Sequence, residues 1–74
     1  MEEITIHSEE IQLDQILKLA GAIPTGGALK PLLAEGSVFL NGAGETARRR
    51  KLHAGDVVEI RGMGRWKVAA PGVE

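Results

Sequence analysis

The chain has no cysteine, which excludes disulfides, thiolate zinc sites and cysteine nucleophiles. It has no apolar run near the ~18 residues that a membrane span needs. Its acidic start, Met1-Glu2-Glu3, leads straight into alternating residues and lacks the features of a signal peptide. These absences predict a soluble, cytoplasmic protein without membrane contact. There is no G-x-x-x-x-G-K-[ST] loop and no G-x-G-x-x-G after a strand, so no nucleotide cofactor is expected. His7 and His53 stand far apart with no metal-ligand spacing between them. No nucleophile–base pair can be assembled, and the expectation is a non-enzyme with no cofactor and no metal. With 74 residues, the chain is one domain, which buries only about 60% of its unfolded surface. A core of that size supplies ~3–5 kcal/mol net, too little to support a deep, water-excluding active site.

What is present is charge, unevenly placed. The formal net charge is −1, yet residues 1–37 carry a balance of −4 and residues 38–74 a balance of +3. Between positions 48 and 67, seven Lys or Arg face two acidic residues. A polyanion responds to the local field, so this asymmetry is more informative than the total.

The periodicities define a small α+β domain over residues 1–74. Glu3-Ile4-Thr5-Ile6-His7 alternates as a half-buried strand does. Leu13, Ile16, Leu17 and Ala20 form one stripe of an amphipathic helix. Asp14 and Lys18 suit the two ends of its dipole, and Gly21 stops it. A second helix is expected from roughly Gly27 to Glu35, with Leu29, Leu32 and Leu33 inward and Thr25 as candidate N-cap. Pro31 requires this helix either to kink or to start late, near Lys30. Val38-Phe39-Leu40 reads as a strand and Asn41-Gly42 as a tight hairpin turn. Ala54-Gly55-Asp56 reads as a turn. A final hairpin over 57–69 places Val58 and Ile60 on one face, and a frayed tail over 70–74 follows. The predicted architecture is a helix-loop-helix on a small, mainly antiparallel sheet.

Two segments could carry chemistry. In Arg48-Arg49-Arg50-Lys51, four cations in succession cannot all point inward, because an unpaired buried charge is costly. Arginine supplies the forked, permanently charged donors that phosphate recognition needs. Arg61, Arg65 and Lys67 extend the patch if their hairpin lies alongside. A solvated loop would have the same composition, so the run alone does not decide function. In Thr25-Gly26-Gly27, with Lys30 close by, glycines before a helix would leave backbone N–H groups open to an anion. An ordinary interhelix turn reads the same way. Trp66, the sole tryptophan, is expected to close the core rather than to stack on a base.

Taken together, these residues resemble the S4-like RNA-binding domain in its small stand-alone bacterial form. Ile11-Gln12-Leu13-Asp14-Gln15-Ile16-Leu17-Lys18 looks like the first-helix motif. Thr25-Gly26-Gly27, Lys30 and Gly36 resemble the second. Val38 to Gly42, Glu45, Arg48, Arg50, Lys51-Leu52 and Gly55 to Glu59 resemble the sheet half, so the likeness covers about residues 3–61. It implies an αL-type helix-loop-helix against a sheet, with structured RNA on a basic face. On that likeness Lys18, Thr25, Gly27, Lys30, Arg48, Arg50 and Lys51 face RNA, and Arg49 joins them by charge. The sequence departs from the family at Leu29, where a small residue is usual, and at Pro31. Gln12 stands where larger members often carry arginine. Ala43-Gly44 replaces the commoner Glu-Val, which predicts a looser hairpin.

The expected function is therefore non-catalytic binding of structured RNA, ribosomal or transfer RNA among the candidates, by a monomer that contacts ribosomal particles. Two alternatives remain at this level. One is a protein-interaction domain whose basic loop meets an acidic partner. The other is a ubiquitin-like sulfur carrier, against which the C-terminal Pro71-Gly72-Val73-Glu74 lacks the required terminal Gly-Gly.

Overall fold

The alternating N-terminal residues form β1 (Glu2–Thr5) in the computed structural model, which describes residues 1–72. Strand β1 runs parallel to β7 (Gly64–Ala69), with Glu2 opposite Trp66 and Ile4 opposite Val68. The pairing continues one step further, where the Ile6 N–H donates to the Ala69 carbonyl at 2.8 Å. At its start the Trp66 indole N–H donates to a Glu2 carboxylate oxygen at 3.1 Å. Trp66 thus closes the core with its polar edge satisfied, as tryptophan requires when buried.

Strands β3 (Val38–Leu40), β4 (Ala43–Gly44) and β6 (Val57–Ile60) complete a five-stranded sheet of order β1-β7-β6-β3-β4. Every pair in it is antiparallel except β1 with β7. The sheet is therefore mixed but mainly antiparallel. The β3–β4 turn is the two residues Asn41 and Gly42, with φ of 52° and 85°. Left-handed backbone at both positions matches a hairpin turn whose twist suits the flanking strands. Ala43 and Gly44 pair in register with Leu40 and Phe39, so the hairpin forms despite the expected loosening. The Asn41 side chain holds it to the next turn. Its amide N–H donates to Asp56 at 3.1 Å, and its carbonyl accepts the Val57 N–H at 2.9 Å.

The helical stripe packs on one sheet face. Helix α1 (Leu13–Leu19) buries Leu13, Ile16 and Leu17 completely, and each such burial is worth about 1.5–3 kcal/mol. They meet Val38, Val58, Ile60, Trp66 and Val68 in a single core. The helix stops where Gly21 takes a φ of +76°, which a side chain would resist.

Of the two outcomes expected for the second helix, the structure has the late start. A 3₁₀ turn (Gly26–Ala28) comes first, and helix α2 covers Leu29–Ala34. The reason is Pro31. A late start places it in the first turn, where its missing N–H has no intrahelical partner to lose. Thr25 precedes the 3₁₀ turn in extended backbone, but its side chain makes no capping bond. Leu29 is fully buried and takes a core position.

Ile11 and Gln12 are not helical. They form β2 (Ile11–Gln12), antiparallel to β5 (Lys51–Leu52), with Ile11 opposite Leu52 and Gln12 opposite Lys51. This small second sheet ties the end of the basic run to the start of α1. Residues 70–72 lie outside any helix or strand, and the rest of the expected tail, residues 73 and 74, lies outside the described residues. No helix among the described residues is long and apolar enough to cross a membrane.

Candidate nucleic-acid interface

The basic run is fixed by its backbone before its side chains matter. The first N–H groups of a helix have no intrahelical acceptor. In α1 the Leu13 N–H donates to the Arg50 carbonyl at 2.8 Å and the Asp14 N–H to the Arg48 carbonyl at 3.2 Å. The run therefore lies across the start of α1. Glu45 shapes the approach to it: one carboxylate oxygen accepts the N–H groups of Thr46 and Ala47 at 3.0 and 2.9 Å. The other stands 3.8 Å from the Arg50 guanidinium.

The four cations then differ. Arg49, Arg50 and Lys51 are exposed, whereas Arg48 is partly buried. Arg48 Nε stands 3.6 Å from Oδ2 of Asp14, a largely buried residue. Lys51 Nζ stands 3.6 Å from Glu10, whose other oxygen lies 3.5 Å from His53 Nε2. Arg49 has no ion pair among the described residues. Exposed pairs at these distances contribute little to stability and are screened by salt. They act instead as internal counterions that hold long side chains near one place.

Of the other candidates, Lys30 joins this run and Lys18 does not share its groove. Lys30, Leu33 and Ala34 of α2 face Thr46 and Arg48 across one open groove. Lys18 lines a separate depression with Ile11, Gln15 and Leu19. Thr25 and Gly27 are exposed at the turn before α2. The Thr25 carbonyl accepts the Ala28 N–H at 3.1 Å. A helix of only six residues brings a small dipole, so the charge on this side comes chiefly from Lys30. A Cβ at Gly27 would meet only the Thr25 hydroxyl, at 3.9 Å, so nothing inside the fold demands glycine there.

Arg61, Arg65 and Lys67 do not extend the patch. The register pairs Arg65 with Glu59 and Lys67 with Val57, out of phase with the buried Val58, Trp66 and Val68. They belong to the sheet face turned away from the helices. On that face the Arg61 guanidinium sits 5.3 Å from the centre of the Phe39 ring, a cation–π contact.

The sequence reading missed the acidic partners. Asp14 reads as a dipole residue, Glu45 as part of the likeness in the sheet half and Glu10 only as one charge in the acidic balance, yet they pair with Arg48, Arg50 and Lys51. The spacing of Asp14 from Arg48 carries no periodic signal, so only the folded chain reveals the pair. Among the described residues no three His, Asp or Glu side chains converge as a metal site would need. The arrangement can bind a polyanion: one wall is the run over α1, the other is Lys30 on α2.

The S4 domain family matches residues 4–69. A probable ribosome maturation protein of Bacillus subtilis, RlbA, is 48% identical over 65 residues, which is 88% of this chain and 92% of that protein. A putative RNA-binding protein of Escherichia coli, YbcJ, is 40% identical over 52 residues, 70% of this chain and 74% of that one.

Proposed function

The chain belongs to the S4 domain family, and from that premise we propose that it is a non-catalytic, cytoplasmic RNA-binding protein that takes structured RNA, ribosomal RNA foremost, into the groove between α2 and the basic run. The observation that carries this reading is the convergence of Lys30 and Arg48 on one groove, with Arg49 exposed beside it. Phosphate contacts then dominate affinity, and A-form shape is read more than base sequence. Ribosomal RNA is favoured because the Bacillus subtilis relative carries the name of a ribosome maturation protein.

The test is to purify the chain gently and sequence the nucleic acid that comes with it. Enrichment of ribosomal RNA, together with sedimentation of the protein with ribosomal particles, supports the reading. Co-purification of an acidic protein with no RNA would replace it with a protein-interaction role.

A further inference from the structure

We propose that Asp14 is a positioning residue that aims Arg48 at the RNA and sets the spacing of the two groove walls. This rests on the RNA-binding reading above. Asp14 lies in the first turn of α1 and is 9% exposed. One oxygen, Oδ2, stands 3.6 Å from Arg48 Nε in the basic run. The same oxygen would lie 2.9 Å from a Cβ added to Gly26, in the 3₁₀ turn that leads into α2. Gly26 does not use left-handed backbone. A side chain there would meet no backbone strain but would press on the Asp14 carboxylate. A single buried carboxylate thus pairs with the basic run and packs beside the turn that leads into α2.

The chemistry makes a purely structural role a poor account. No protein group among the described residues donates to the other oxygen, Oδ1, which is buried. A half-satisfied buried carboxylate is a worse structural element than an apolar side chain of similar size. An anion beside an RNA groove also repels phosphate. Both costs make sense if the carboxylate fixes a guanidinium that would otherwise sample many rotamers, leaving Arg48 pre-aimed with its remaining N–H groups open.

The sign of one substitution separates the two roles. Asp14→Asn keeps the shape and removes the negative charge. If Asp14 contributes only charge, the variant binds a fluorescein-labelled RNA hairpin more tightly. If it positions Arg48, binding weakens by roughly five- to tenfold, within the span expected for losing one arginine contact. Nitrogen-15 relaxation of the Arg48 Nε–Hε group in the RNA-free protein gives a second readout, and it should show greater motion in the variant. Gly26→Ala is the companion variant. It leaves every charge in place but pushes the carboxylate aside, and it should weaken binding and loosen Arg48 in the same way. It also decides the matter if Asp14→Asn fails to fold. Unchanged or tighter binding, or an Arg48 group as rigid as in the wild type, overturns the proposal. Failure of the wild-type chain to bind the hairpin would instead overturn the RNA-binding reading, and the relaxation comparison would still report on Asp14.

Discussion

Arg48 Nε stands 3.6 Å from Asp14 Oδ2, and this pair joins the basic run to the first turn of α1. Truncating the arginine leaves a largely buried carboxylate without its partner. Arg48→Ala should therefore cost about 1–3 kcal/mol. Asp14→Ala combined with Arg48→Ala should cost less than the sum of the single changes, because the pair acts as a unit. Urea unfolding of the four proteins in the cycle measures this, and strict additivity would mean that the two charges do not interact.

The second prediction concerns the exposed part of the run. Arg49→Gln with Arg50→Gln should remove most RNA binding and leave stability within about 0.5 kcal/mol of the wild type. The Arg50 carbonyl still accepts from Leu13 in the variant, so the loop stays in place. Gel-shift titration alongside thermal unfolding checks both halves.

Gly27 gives a cleaner separation of folding from binding. The position is open, and its backbone is outside the left-handed region. Gly27→Ala should leave stability unchanged or raise it by about 0.4–1 kcal/mol through the unfolded state. On the proposed binding mode RNA affinity should fall, because a methyl group at this exposed turn would stand in the path of the RNA backbone. Affinity equal to the wild type in this variant would remove Gly27 from the interface.

Asn41 tests how the sheet supports the run. Its side chain serves both Asp56 and the Val57 N–H, and its φ of 52° is tolerated by asparagine better than by most residues. Asn41→Ala should destabilise by about 1–3 kcal/mol. In a domain with ~3–5 kcal/mol in total, that is visible as a large drop in the urea midpoint.

The elements whose signal is local were legible in the sequence. The stripe Leu13, Ile16 and Leu17, the Asn41-Gly42 turn and the strand pair Val58 and Ile60 all follow from periodicity or backbone preference, and all are found. Trp66 closes the core, as its place in a short last strand suggests. The rest depends on contacts distant in sequence. The parallel pairing of β1 with β7 joins the two ends of the domain, and no local pattern announces it. Ile11-Gln12 shows only as part of the first-helix likeness, and its strand character depends on β5 as a distant partner. Pro31 fixes the start of α2 only once the 3₁₀ turn is seen. In the candidate site, the cations were legible as a run, but their inequality was not. Arg48 pairs with Asp14, Arg50 with Glu45 and Lys51 with Glu10, while Arg49 has no ion pair among the described residues.

The central claim is that RNA is gripped by phosphate contacts from two walls, Lys30 on α2 and the run over α1. It is tested most directly by the salt dependence of RNA affinity for the wild type and for Lys30→Gln with Arg49→Gln. With about four to six phosphates engaged, log K against log salt should have a slope of roughly −3 to −5. Removing one cation from each wall should make that slope shallower by about 2. A folded double variant with the wild-type slope would contradict the account.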